Sequence, residues 1–368
     1  MNGFAGGLWV HCASPQELGR LEEIVERYCL TGQVSWVGEV GQGVLLSLLP
    51  ALRREWVPDD DSTGLAARLS LDTVRSSFDL EREILIALLV SPLAIEFPSC
   101  EELLAAIHIR RNIVLAGRRT ALDFHTSEAE RPADCWRYDE ENGYVVRPGH
   151  SLIEALRKAT QPGADGQVYS FSCYRATEYV ILLAIAEELL SCNPELYDCL
   201  QRQCERRVIR SGQFHEVFLR EYGAQESPMP ERYYVPGDRV WFRNPDERSS
   251  DVLGNEGSWV LYLGSGLFTN FWKRDQPYTL DSKCLEIYHW RNGVCRAADG
   301  ELAMDEAIVE QRVAASLREG DELSRILDEM MRLRAPSGCY GQGGCIDTTR
   351  EGPRWVCPGT SDLHLPPV

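Results

Sequence analysis

Apolar and polar residues change their spacing several times along the chain, and each change predicts an element. LWVHC at 8–12 has the look of a short strand. In SPQE at 14–17, Ser14 stands as an N-cap, Pro15 takes the first helical position, and Glu17 follows three residues after the cap. LGRLEEIVERYC then runs with helical periodicity until Gly32 can stop it. SWVGEV and GVLLSLL predict two strands joined by a glycine turn. Residues 1–58 are thus expected to form an appended β-α-β-β subdomain, bounded by the polar loop PDDDSTG at 58–64.

Helical spacing returns at about 65–92 and 100–120, the second stretch opening with the cap SCEE at 99–102. CWRYDEENGYVVR predicts a hairpin turning at Asn142–Gly143, and SLIEALRKAT a short helix. From Ala176 to Leu190 the chain is aliphatic almost all the way round, which predicts a helix buried inside a core. Ser170 and Ser172 precede it, placing Cys173 in or next to the first turn. Unpaired backbone N–H groups and the positive end of the helix favour a thiolate there. A polar helix is expected at about 194–210. RYYV, DRVWFRN, SWVLYLG, LFTNFW and CLEIYHW follow as closely spaced strand candidates. A helix at 301–334 and a Gly/Pro/Cys tail end the chain, so the expected divisions are 1–58, a core at 65–300, and 301–368. The class is α+β: a buried cysteine-bearing helix packed on an antiparallel sheet, in the element order of a papain-like or NlpC/P60-like thiol enzyme.

Charge narrows the partners. Over 368 residues the formal net charge is −18, so nucleic acid and anionic membrane surfaces are poor partners. CERRVIR at 204–210 is the one short basic run and fits a solvated helix face. No stretch approaches the roughly 18 apolar residues that cross a bilayer, and MNGFAGGLWV lacks the basic start of a secretory signal. Thirteen cysteines without such a signal point to reduced thiols in a cytoplasmic protein. Cys339, Cys345, Cys357 and His364 lack the tight C-x2-C spacing of a zinc knuckle, and no cofactor is implied.

Four segments add a further indication: IHIRRNIVLAGRRTALDF, CWRYDEENGYVVRPGHSLIEALRKA, VYSFSCYRATEYVILLAIAEEL, and YYVPGDRVWFRNPD with SWVLYLGSGLF. In that order, over about 97–300, they resemble the small bacterial protein-glutamine gamma-glutamyltransferases of spore-forming bacilli. The F-x-C segment and the G-D-x-x-x-F-x-N-P segment at 237–245 are the most specific. The resemblance implies that Cys173 attacks a glutamine side-chain amide, releases ammonia and holds the acyl group as a thioester until an amine takes it. It also implies a glutamine-bearing protein or small-molecule donor and an amine acceptor.

Around that cysteine the chain departs from the family pattern. Ser172 stands where the family has a glutamate, Ser258 where it has a second, and Phe271 at about the place of a histidine. These three are the candidate substrate-binding positions. Glu256, two residues before Ser258, is a candidate acid/base that a bulge would bring to the site. His289, expected in a late strand, is the candidate for a Cys–His pair. Glu178 lies about 1.4 turns beyond Cys173 and points elsewhere. Asp238 is expected to hold the turn after Gly237. The resulting expectation is a cysteine-dependent acyltransferase of transglutaminase type. The alternatives are a catalytically silent binding or assembly protein and a glutamine deamidase.

Overall fold

The computed structural model describes residues 6–124, 130–298, 300–337 and 340–366. Alternation builds the first sheet: β1 (Gly7–Val10), β2 (Val34–Glu39) and β3 (Gly43–Leu48) pair antiparallel in the order β2-β3-β1. Helix α1 (Pro15–Arg27) connects β1 to β2, and the Ser14 hydroxyl accepts the Glu17 N–H at 3.3 Å as its cap. Three helices follow, α2 (Pro50–Trp56), α3 (Leu65–Arg68) and α4 (Ser77–Leu89). Strand β4 (Ala94–Phe97) then adds parallel to β1 and completes the sheet.

Among the described residues, those up to 58 share one hydrophobic cluster with later parts of the chain. Leu8, Leu21 and Leu46 pack in one cluster with Ile84 and Leu88 of α4, and with Tyr233 and Val235 far along the chain. The polar loop expected as a boundary is a corner within this packing. There the Ser62 hydroxyl donates to the Tyr234 carbonyl at 2.7 Å.

Helix α5 (Cys100–Arg119) starts at Ser99, whose hydroxyl accepts the Glu102 N–H at 3.2 Å. Glu102 is buried and does not reach back to the cap. Its carboxylate accepts the N–H groups of Val356 and Cys357 at 2.9 and 2.8 Å, clamping the C-terminal tail. Strands β5 (Asp123–Phe124), β6 (Trp136–Asp139) and β7 (Gly143–Val146) come next. The expected hairpin is β6–β7, with the Asp139 carboxylate accepting the Asn142 N–H at 2.8 Å. Then come α6 (Leu152–Thr160), β8 (Ser170–Phe171), α7 (Cys173–Cys192), α8 (Pro194–Arg206) and α9 (Ser211–Phe218). Helix α7 is buried from Ala176 to Ala186 on all faces, as its largely apolar sequence requires, with the buried Glu178 paired to Arg175.

The central sheet contains β9 (Leu219–Tyr222), β10 (Arg239–Arg243), β11 (Gly257–Gly264), β12 (Leu267–Phe268) and β13 (Tyr278–Thr279). The short helix α10 (Glu247–Ser250) links β10 to β11. After α11 (Leu280–Gly293), the hairpin β14 (Val294–Arg296) and β15 (Leu302–Met304) leads to α12 (Glu306–Ser316) and α13 (Gly320–Met330). Strand β16 (Arg350–Pro353) closes the chain's regular structure. All pairings in the sheet are antiparallel, in the order β13-β12-β11-β10-β16-β9.

Four expectations need correction here. RYYV is not a strand, because Pro236 and Gly237 (φ +89°) turn the chain immediately after it. CLEIYHW is helical: Thr279 and Ser282 form a reciprocal capping box, and the buried residues Leu280, Cys284 and Ile287 share a helical face. The expected helix at 301–334 is two, α12 and α13, with β15 before them. The tail does not trail; β16 inserts between β10 and β9.

One buried carboxyl braces the β11–β12 turn. Glu83 of α4 accepts the Ser265 N–H at 2.8 Å, while its other oxygen is buried without a partner. Burial pushes this carboxyl up to about 7, against the pull of that hydrogen bond and of the Arg118 charge. Because the folded value lies above the unfolded one, its contribution to stability is full below the ordinary carboxyl range near 4.5 and is lost as pH rises through 7. We expect the wild type to lose about 3 kcal/mol relative to Glu83→Gln between pH 4 and pH 8. Denaturation midpoints of both proteins at those two pH values check this, and parallel pH profiles would refute it.

Candidate active site

Strand β8 pairs parallel with β5, and this pairing delivers the chain to the start of α7. Ser172 is in extended conformation (φ −79°, ψ 156°), and its hydroxyl accepts the Arg175 N–H at 3.3 Å. It is therefore the N-cap, and Cys173 is the first helical residue. Helix α7 packs along β11, which sets the thiol against Gly257, Ser258 and Trp259.

Two effects on the thiol compete. Burial raises its pKa and dominates. Opposing it are a backbone hydrogen bond from Trp259, the positive charge of Lys283, a backbone hydrogen bond from Tyr174 and the charge of Arg239. The resting thiol is therefore neutral at physiological pH, in a setting that holds several stabilisers of its anion.

Cys173 opens into two cavities. The larger, about 580 Å³, is lined by Ser258, Asn270, Lys283, Glu286, Trp290 and Glu306 among others. The second, about 440 Å³, is walled by Tyr174, Trp241, Leu253 and Trp259, with Glu256 and Ser172. Behind the aromatic wall lies Arg239, 1% exposed, with its guanidinium over the rings of Tyr174 (4.3 Å) and Trp259 (4.1 Å). Arg239 donates to the Thr177 hydroxyl at 2.9 Å and to Glu351 at 3.0 Å, and His215 meets the other Glu351 oxygen at 2.8 Å. This network holds in place the two residues whose backbone N–H groups face the thiol.

The sequence candidates separate accordingly. Ser172 and Glu256 line the second cavity with Cys173, and Ser258 lines the first. The exposed Glu256 accepts the Gly254 N–H at 3.3 Å. Phe271 points into the core at 3% exposure. Its neighbour Asn270 lines the cavity instead, donating to the Gln276 carbonyl at 3.0 Å. His289 lies on a helix rather than a strand and lines neither cavity. Its ring nitrogens meet Asn292 at 2.9 Å and Ser316 at 2.8 Å, so it ties α11 to α12. Glu178 turns away from Cys173 to Arg175, as its helical offset implied.

Lys283, Glu286 and Tyr278 escape a reading of this stretch as a strand. Lys283 and Glu286 on α11 converge with Tyr278 of β13: Lys283 pairs with Glu286, its ammonium lies 4.1 Å from the Tyr278 ring, and the Tyr278 hydroxyl donates to Glu286 at 2.6 Å. The available signal was K-x-x-E following the T-x-x-S cap, since residues three apart share a helix face.

Among the described residues, no three His, Cys, Asp or Glu side chains are grouped to hold a metal ion, and no helix is long and apolar enough to cross a membrane. The described cysteines are free thiols. Of the tail's possible ligands, Cys339 lies outside the described residues. Cys345 stands 3.5 Å from Cys284.

The model of the family described as protein-glutamine gamma-glutamyltransferase matches residues 65–363, reaching past the 97–300 span at both ends. Among solved structures, the transglutaminase from Geobacillus stearothermophilus (without C-terminal extension) is similar at 20% sequence identity, with a TM-score of 0.40. That similarity covers 58% of this chain and 98% of that one. Among curated proteins, none matches.

Proposed function

The chain belongs to the protein-glutamine gamma-glutamyltransferase family, and from this premise we propose that it is a cysteine-dependent acyltransferase with Cys173 as nucleophile. The observation that carries the reading is the place of Cys173: the first residue of a buried helix, beside backbone donors, open to two cavities at once. A reaction that joins an amide donor to an amine needs access for both to one sulfur.

In this reading the sulfur, as thiolate, adds to the carboxamide carbon of a glutamine side chain. The backbone N–H groups of Trp259 and Tyr174 are the candidate donors to the developing oxyanion. The C–N bond breaks, ammonia leaves with an added proton, and a thioester remains. An amine nitrogen then attacks the thioester carbon, the C–S bond breaks, and the amine's proton is lost as the thiolate returns. Glu256, beside Cys173 in the second cavity, is the proposed proton carrier. Ser172 and Ser258 would contact the donor where the family pattern has carboxylates, which favours a specialised or small-molecule substrate. The papain-like or NlpC/P60-like description of the core belongs to the same proposal, supported by a cysteine-headed helix on an antiparallel sheet. So does a cytoplasmic setting, supported by the abundance of free thiols.

One feature favours a second reading, a catalytically silent binding protein: burial pushes the Cys173 thiol up, away from the anion that catalysis needs. Incubation with a glutamine-bearing donor, with and without a primary amine, separates the two by intact mass and ammonia release. Amine-dependent mass gain with ammonia supports the acyltransferase. Ammonia release with no transfer makes the protein a deamidase. Neither event across a broad donor panel favours the silent reading.

A further inference from the structure

We propose that Lys283, steered by Glu286 and Tyr278, supplies the positive charge that sustains the Cys173 thiolate, in place of the polar supports this chain lacks at Ser172, Ser258 and Phe271. The inference rests on the reading of Cys173 as the nucleophile. A lysine 3% exposed is uncommon, because burying an ammonium is costly unless it is paired. Here two groups supply the pairing and a third contact joins them to each other. Glu286 takes the charge one helical turn on, the Tyr278 ring offers its face at 4.1 Å, and the Tyr278 hydroxyl fixes the same carboxylate at 2.6 Å. This cradle sits on the wall of the cavity that Cys173 shares.

The other charges around this cavity do not offer the same service. Lys273 is exposed and paired with Glu310, whose charge on α12 disfavours a thiolate, and burial pushes the neighbouring Glu306 carboxyl above its ordinary value. On the opposite side, Glu256 is a further anion at a solvent-exposed rim. Arg239 is also buried, donating to Thr177 and Glu351, but it sits behind the aromatic wall and lines neither cavity. Lys283 is thus the buried cation facing the cavity that Cys173 shares with it, and its field acts on the sulfur ahead of that of Arg239. Expulsion of water by an entering donor lowers the local dielectric and strengthens that attraction.

The test is the pH profile of Cys173 alkylation by iodoacetamide, followed on the Cys173 peptide by mass spectrometry. Exposed Cys29 and Cys199 serve as internal controls. Lys283→Met should move the midpoint upward and slow alkylation at pH 8 about tenfold, leaving the high-pH plateau and the control thiols unchanged. Lys283→Arg should return the midpoint toward wild type. Glu286→Gln, which removes the opposing anion and keeps Lys283, should move the midpoint downward; it also serves if Lys283→Met does not fold. A midpoint unmoved in a folded Lys283→Met protein, or a change confined to the plateau, overturns the proposal. The profile needs no substrate, so a shifted midpoint without amide transfer would fault the acyltransferase reading alone. Transfer with an unmoved midpoint would fault the role of Lys283 alone.

Discussion

With Cys173 as the proposed nucleophile, Cys173→Ala is expected to reduce amide transfer by roughly 10⁴-fold or more, because the acyl group then loses the sulfur that would hold it. Cys173→Ser should fall nearly as far. A serine hydroxyl placed at the same helix threshold ionises far less readily than a thiol, and the stabilisers around it were not enough to bring even the thiol below its ordinary value. Both variants should fold, since the side chain is small, partly exposed and at the first position of α7. Single-turnover mass spectrometry with matched thermal melts checks the pair of expectations. Transfer at the wild-type rate by a folded Cys173→Ala protein would remove the thioester route altogether.

Arg110→Ala is expected to cost about 3–5 kcal/mol of folding stability. The Arg110 guanidinium donates to Asp238 at 2.7 Å, and the two side chains are 3% and 2% exposed. The other Asp238 oxygen accepts the Val235 N–H at 2.7 Å, so one carboxylate both holds the turn at Gly237 and binds α5. Truncating Arg110 leaves that carboxylate charged and unmatched in the interior. The turn tolerates little slack: a Cβ on Gly237 would come within 2.8 Å of the Arg110 Cα. Denaturant midpoints of Arg110→Ala, Asp238→Asn and the double variant measure the coupling. If the pair acts as described, the double variant is less destabilised than the two losses summed. Strict additivity would mean that the two side chains act independently. Activity should also suffer, because Asp238 precedes Arg239, which backs Tyr174 and Trp259.

The departures from expectation follow a pattern. Phe271 and Asn270 differ by one residue, and a turn after β12 separates them: the Asn270 side chain accepts the Lys273 N–H at 3.1 Å and donates to the Gln276 carbonyl, while Phe271 is buried in the core. Counting along the family pattern gives Phe271, whereas the path after β12 puts Asn270 at the cavity. His289 is expected in a late strand, whereas packing among α11, α12 and α13 makes CLEIYHW helical and sends the imidazole to Ser316. Strand β16 pairs with β9 and β10, more than a hundred residues earlier, and its REGP sequence carries little strand propensity.

What the sequence by itself determined is local. Ser14, Ser99 and Ser172 cap their helices because an N-cap needs only a hydroxyl and the next turn of backbone. The same reasoning placed Cys173 at the threshold of a helix too apolar to lie anywhere but inside. Tertiary structure decided which charges meet the sulfur. Lys283 is 110 residues from Cys173 in the chain, and no period or cap relates them. They share a cavity because β11 brings the segment after it back beside α7, and a buried ammonium is tolerated there because Glu286 and Tyr278 arrive with it on the same side.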